Sequence, residues 1–326
     1  MSIYLTRQSF GLPAHPWERI DLATADSARA AALVAAAVGH IPRSNRDHAQ
    51  GMVSILGPRG AGKTRAVKAA LDRFPTVRVV ELLRSTRERA HMGDIEEALI
   101  RDLSNVPPRR GGEARTRQLR WILGEAQDTQ PVVLVIDDAH TIHSATLRGL
   151  KRLRELGWKG RRTLLGVIMM GQRDSSQNID EIRLRSDRVW LEGLTQAEAK
   201  LALEQAVGSA LEPDALQALA AAPAPRRTWL DLQCAVDQAL ALALAAGHHR
   251  VTLADAVQAT GAGLQALAQA SGISQAEIAR QVGSSETTVS RLLRGEREDP
   301  KLQDRITDLL LGGAQQPAAR RAAGGA

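Results

Sequence analysis

The chain has little that reacts or stacks. A single cysteine, Cys234, set in the apolar run from Trp229 to Leu244, leaves no disulfide framework and no paired-cysteine metal site. Such usage points to a reducing cytoplasm. Aromatic residues make up only 2% of the sequence, which argues against a surface that grips single-stranded bases by stacking. No apolar stretch reaches the roughly 18 residues needed to span a bilayer, because charge or proline interrupts every alanine-rich run. The opening MSIYLTRQSF has no charged segment followed by an apolar one, so neither secretion nor membrane insertion is expected. What the chain has instead is arginine. The net charge is +7 over 326 residues, 44% of them hydrophobic, which suits about two or three domains and a polyanionic partner. With so few aromatics, that partner is expected to be double-stranded DNA.

Periodicity divides the sequence. Residues 1–45 read as a leader with an alanine-rich helix from Asp26 to His40, closed by Gly39 and Pro42. Over 46–194, the β-rich runs MVSILG, VRVVELL, PVVLVID, TLLGVIMMG and VWLEGL alternate with helix-length segments, the pattern of an α/β parallel sheet with helices on both faces. Burial of both faces is the expected reason for their near-continuous Val, Ile and Leu. Residues 195–260 read as a helical lid opened by the capping box Thr195 to Glu198, and 261–312 as a small all-α domain. The tail 313–326 is low in complexity and expected to be disordered.

The strongest chemical signal is Gly57, Pro58, Arg59, Gly60, Ala61, Gly62, Lys63 and Thr64, followed by Arg65. It matches the phosphate-binding pattern G-x-x-x-x-G-K-[ST] between an apolar strand and a helix. Gly57 and Gly62 let the backbone curl so that its N–H groups converge on the β-phosphate of ATP, next to the positive end of the helix dipole. Lys63 is expected at the β- and γ-phosphates and Thr64 on Mg²⁺. The run Val132 to Ile136 delivers Asp137 and Asp138 at its C-terminal end, where ligands bind in open α/β sheets. Asp137 is the expected Mg²⁺ partner, through water.

Together these motifs resemble the AAA+ ATPases over about residues 50 to 260. The resemblance implies that Asp138 orients or deprotonates the attacking water, although the position is more often Glu in that family. It places Gln172, after the fourth strand, as the polar sensor that reaches the γ-phosphate or the attacking water. It also implies an arginine finger for a neighbouring subunit among Arg183, Arg185 and Arg188, in the segment before VWLEGL, with Arg188 favoured. Arg226, in Pro225-Arg226-Arg227, is the expected second sensor. A finger acts only between stacked subunits, so an ATP-dependent ring or helical filament follows.

Residues 264–295 resemble a phage-repressor-type helix-turn-helix. Ile273-Ser274-Gln275 opens the first helix, Ala279 permits close crossing, Gly283 makes the turn, and Val289 and Leu292 face the small core. Ser274 caps the first helix and Ser284 or Ser285 the recognition helix. Gln275, Ser285, Glu286, Thr287, Thr288, Ser290 and Arg291 are then the side chains aimed at phosphates and base edges. Glu286 either accepts from cytosine N4 or weakens affinity. A second surface is suggested by two basic runs: 107–120 carries five arginines against one glutamate, and 146–162 seven basic residues against one. Arg109, Arg110, Arg115, Arg117, Lys151 and Arg152 are the candidates to track a DNA backbone.

An AAA+ module, a lid and a repressor-like helix-turn-helix in one short chain resemble the ATPase subunits of DNA transposition, the B proteins of Mu-like phages and the helper ATPases of transposons. In the phage Mu protein the helix-turn-helix precedes the ATPase; here it follows. The resemblance implies an ATP-bound oligomer on target DNA that recruits or stimulates a transposase and is released by hydrolysis. The alternatives are a replication initiator or helicase loader, and a nucleotide-gated transcription regulator or defence sensor.

Overall fold

The apolar runs become a five-stranded parallel sheet in the order β2-β3-β4-β1-β5. The central strands β1 (Met52–Leu56), β3 (Val132–Ile136) and β4 (Gly166–Gly171) are buried at every residue. The expectation of burial on both faces fails at the rims. In β2 (Arg78–Glu81) only Val80 is buried, and β5 (Ser186–Trp190) buries only Ser186 and Val189. An edge strand has a neighbour on one side only and tolerates charge along its length. For that reason β5 starts three residues before the apolar run VWL, and Arg188 lies within the strand rather than in the segment before it.

The computed structural model describes residues 2–39, 51–82, 91–160, 163–174, 179–221, 228–260, 268, 273–293 and 299–313. The chain forms two compact units, Ala23–Gly193 and the combination of Met1–Leu22 with Leu194–Ala326. Helices are numbered along the chain. α1 (Ile3–Ser9) belongs to the second unit, and α2 (Ala25–Val38) and α3 (Lys63–Leu71) to the first. On one face of the sheet Val53, Ile55, Val133, Val135, Ile168 and Met170 pack with Ala30, Val34 and Val67 of α2 and α3. The other face, with Leu134, Ile136, Val167 and Met169, is covered by α4 (Met92–Leu103), α5 (Gly112–Thr129) and α6 (Ser144–Arg154). Each such Ile or Leu removed from water contributes about 1.5–3 kcal/mol. The short α7 (Asp180–Arg183) leads into β5.

Close approach explains Gly166. A Cβ there would stand 2.2 Å from the carbonyl oxygen of Ala37, at the end of α2. The same helix end accepts from the Gly51 N–H through Ala36 O at 2.9 Å, so α2 is seated where β1 and β4 begin.

The other unit is built from helices whose small residues let them pack closely. α8 (Gln196–Val207) starts at the Thr195 and Glu198 capping box, α9 (Pro213–Ala221) follows, and α10 (Trp229–Ala245) starts at a second box of Thr228 and Asp231. α11 (Leu253–Thr260) completes this set. Leu12, Trp17 and Ile20 of the N-terminal residues enter the same core. Arg7, 8% exposed, grips Asp237 of α10 through Nε at 2.9 Å and Nη2 at 2.7 Å, a bidentate pair that ties the N-terminus to the helices. Arg226 and the tail 314–326 lie outside the described residues.

Candidate nucleotide site and DNA-reading helix

At the C-terminal end of β1 the chain makes the turn that its glycines predict. Gly57, Gly60 and Gly62 have φ of +152°, +80° and +87°. A Cβ on Gly57 would stand 2.5 Å from the Leu191 carbonyl oxygen, so this position is closed to any other residue on two grounds, conformation and space. Gly62 is the N-cap of α3, and the helix starts with Lys63, Thr64 and Arg65. Pro58, Arg59, Thr64 and Arg65 are exposed at this rim, whereas Ala61 turns into the core. The Lys63 Nζ donates to the carbonyls of Gly57 at 2.9 Å and Pro58 at 2.8 Å, closing the loop on itself. Burial lowers the pKa of this ammonium; the Asp137 and Asp138 carboxylates act the other way.

β3 brings the carboxylates to the same place. Thr64 Oγ1 donates to Asp137 Oδ2 at 3.1 Å. Both are hard oxygen donors, and a threonine hydroxyl bonded to a carboxylate suits a Mg²⁺ site in which Thr64 would bind the ion and Asp137 would hold one of its waters. The other Asp137 oxygen accepts from the Asp138 N–H at 2.8 Å, which fixes the rotamer. Asp138 stands in the left-handed region at φ 50°, uncommon outside glycine, and its side chain is 66% exposed. A cavity of about 520 Å³ adjoins these groups, lined by Thr64, Lys68, Glu81, Asp137, Asp138 and Met170 among others.

Gln172 follows β4 and is exposed. The preceding Gly171 accepts through its carbonyl from the Gly57 N–H at 3.1 Å, which sets Gln172 beside the phosphate loop. The arginines are held differently from one another. Arg183 pairs with Asp180 at 3.0 Å on its own helix. Arg188 donates to Asp174 at 2.6 Å, and that carboxylate is only 12% exposed. Arg185 pairs with Glu155 at 2.5 Å, both side chains about half exposed. Because β5 runs parallel to β1 with Ser186 opposite Met52, Arg185 sits at the end of the sheet away from Gly57. Five residues of strand lie between the two levels, a separation of roughly 20 Å.

In the helical unit, the helix Gln275–Gln281 is capped by Ser274 accepting from the Glu277 N–H, and Gly283 takes φ +63° in the turn. Ser285, rather than Ser284, caps the recognition helix Glu286–Leu293: its Oγ accepts from the Thr288 N–H at 3.2 Å. Ile278, Ala279, Val289, Leu292 and Leu293 are buried together. Gln275, Ser285, Glu286, Thr287 and Arg291 are exposed, with Thr288 and Ser290 half-buried beside them.

The basic runs do not behave as one surface. Arg115 is an internal strut: it approaches Glu96 at 3.7 Å and donates to the carbonyls of Arg109 at 3.0 Å and Arg110 at 3.3 Å. Burial raises the Glu96 pKa, and Arg115 opposes that rise. Arg109, Arg110, Arg117 and Arg152 are exposed, Arg117 pairing with Glu113 one helical turn away, while Lys151 is half-buried. Sequence reasoning passed over two residues. Asp174 holds Arg188, and His140 faces Asp138; neither belongs to a spaced motif, and only the adjacency of His140 to the paired aspartates was a usable signal.

The sheet order, the phosphate loop and the paired aspartates are those of an AAA-type fold, followed by a helix-turn-helix domain. Residues 46–179 match the family model described as an AAA domain, and residues 259–320 that of a helix-turn-helix domain. No curated protein matches the sequence. Among solved structures, the chain is similar to the ORC2 protein of Aeropyrum pernix in ADPNP–ADP complexes, at 14% identity and a TM-score of 0.57, covering 91% of this chain and 83% of that one. It is similar to Cdc6p of Pyrobaculum aerophilum at 16% identity and 0.55, covering 94% and 90%. The Drosophila ORC bound to DNA matches at 14% and 0.56, covering 96% and 84%. These likenesses establish the fold. Among the described residues, no helix is long and apolar enough to cross a membrane.

Proposed function

We propose that this chain is an ATP-switched DNA-binding ATPase whose copies assemble on duplex DNA when ATP is bound and disperse when it is hydrolysed. The observation that carries this reading is the joining of Lys63, Thr64, Asp137 and Asp138 at one sheet end, in a chain that also bears a capped recognition helix with an exposed polar face. The phosphate loop and Lys63 hold the triphosphate, and Thr64 and Asp137 hold Mg²⁺. When bound, that ion neutralises charge on the phosphate oxygens. Asp138 accepts a proton from the attacking water. The water oxygen bonds to the γ-phosphorus, and the bond from that phosphorus to the β–γ bridging oxygen breaks, leaving ADP and phosphate. Gln172 orients the same water.

Assembly requires a cation from the neighbouring copy, and the geometry favours Arg185 over Arg188. Arg185 lies too far from its own phosphate loop to serve it, and an ion pair between half-exposed side chains is worth only about 0–1 kcal/mol, so a change of partner costs little. Arg185→Ala lowers ATP turnover with nucleotide affinity intact, and mixing it with Lys63→Ala protein restores part of the turnover. Rescue of Arg188→Ala alone would assign the finger to Arg188.

For DNA, the recognition helix meets base edges and phosphates while Arg109, Arg110, Arg117, Lys151 and Arg152 add backbone contacts. Each phosphate contact removed reduces the slope of log affinity against log salt by about 1. Arg117→Ala therefore flattens the slope. Arg115→Ala leaves it unchanged and costs about 1–3 kcal/mol of stability, because Glu96 loses its partner. An unchanged slope for Arg117→Ala would remove that helix from the interface.

The partner recruited by the DNA-bound assembly is, on this reading, a transposase. The extent of the structural likeness to ORC2 and Cdc6p favours a second reading, a replication initiator or helicase loader. Electron microscopy with ATP on random duplex DNA, followed by footprinting, separates the two. Continuous ATP-dependent coating supports the transposition reading, and a single protected sequence supports the initiator. No ATP-dependent association at all would contradict both.

A further inference from the structure

We propose that His140 is a positioning residue for the Asp138 carboxylate, an inference that rests on the reading of Asp138 as the group that takes the proton from water. The backbone of Asp138 is fixed: its N–H is held by Asp137 Oδ1, and its carbonyl accepts from both the N–H and the Oγ1 of Thr141, each at 3.0 Å. Its side chain is not. Among the described residues the one group within ion-pair range is His140 Nδ1, 3.8 Å from Asp138 Oδ1. That nitrogen is buried and, among the described residues, has no hydrogen-bond partner. An imidazole nitrogen shut off from water without a partner is costly, so its persistence calls for a use.

The surroundings of the ring supply that use. His140 follows Asp138 in a 3-10 turn (Ala139–Thr141) and lies against the end of β4: a Cβ on Gly171 would stand 3.4 Å from the His140 N and 3.6 Å from its Cβ. These are ordinary van der Waals separations, so the histidine packs directly against this glycine. Gly171 is also the residue whose carbonyl binds the Gly57 N–H and whose successor is Gln172. His140 therefore lies beside Asp138 and against Gly171, the residue that precedes Gln172. With its proton on Nδ1, the imidazole is a donor aimed at Asp138. The gap exceeds a hydrogen bond by about 1 Å, and the inference requires the exposed carboxylate to turn toward the ring and close it. A shorter acid than the usual glutamate has fewer ways to reach a water, and a fixed donor selects the rotamer that does.

Three substitutions test this. The asparagine amide overlays the Nδ1 side of an imidazole and the glutamine amide the Nε2 side. His140→Ala and His140→Gln lower kcat about tenfold, equivalent to about 1.4 kcal/mol, with nucleotide affinity and melting temperature unchanged; His140→Asn stays within about threefold of wild type. Wild-type turnover by His140→Ala, beside an inactive Asp138→Asn, overturns the inference and leaves the base assignment standing. Equal losses in Asn and Gln variants, accompanied by weaker nucleotide binding or a lower melting temperature, overturn it in favour of a packing role. Wild-type turnover by Asp138→Asn removes the base assignment and this inference with it.

Discussion

Lys63→Ala lowers nucleotide affinity by roughly a hundredfold and with it eliminates ATP-dependent association with DNA. The substitution removes the charge-assisted hydrogen bonds that the ammonium makes to phosphate oxygens, each worth about 1.5–3 kcal/mol. The fold should not suffer. Lys63 is the first residue of α3, burial lowers its pKa, and its present partners are two carbonyls of its own loop. Alanine is a better helix former and needs no such partners. Isothermal titration with ATP, alongside a thermal melt, separates the two effects. Unchanged ATP affinity would show that phosphates are not held at this loop. A collapse of the melt would show that the loop carbonyls depend on the ammonium.

Asp138→Asn is expected to bind ATP and DNA as the wild type does and to lower turnover by about 10²–10⁴, the range for loss of a general base. DNA complexes formed with ATP then persist, because the step that ends them is blocked. The amide keeps the shape of the side chain, which is largely exposed, and the Asp138 backbone is held by Asp137 and Thr141 whatever the side chain's charge. Loss of turnover with a short-lived complex would separate hydrolysis from release. Turnover at the wild-type rate would show that another group receives the proton.

How much of this was legible beforehand depended on whether the determinant was local. The phosphate loop was readable because its conformation is written into three glycines with positive φ, flanked by a strand and a helix. The central strands were readable because residues buried on both faces leave an unbroken apolar run. β5 was read through its apolar run from Val189, but its start was not, since an edge strand can carry Asp187 and Arg188 at no cost in burial, and this displaced Arg188 from loop to strand. The helix-turn-helix was legible through side chains that must be small or apolar at fixed spacing, and Ala279, Val289 and Leu292 are indeed buried. Charge was the poorest guide. Arg115, Arg117 and Arg188 look alike in the sequence, yet one braces a loop, one lies in solvent and one is held by Asp174. Those distinctions depend on which partner the fold brings to each arginine, Glu96 to Arg115 and Asp174 to Arg188, as does the nearness of His140 to Gly171.

The central claim is that hydrolysis at the Gly57–Thr64 loop sets how long the assembly stays on DNA. Its most direct test is the lifetime of single protein assemblies on duplex DNA, measured together with phosphate release, first with ATP and then with a non-hydrolysable analogue. The account predicts that release from DNA follows phosphate release with the same rate constant, and that the analogue prolongs the lifetime by at least tenfold. Equal lifetimes with ATP and the analogue would contradict it.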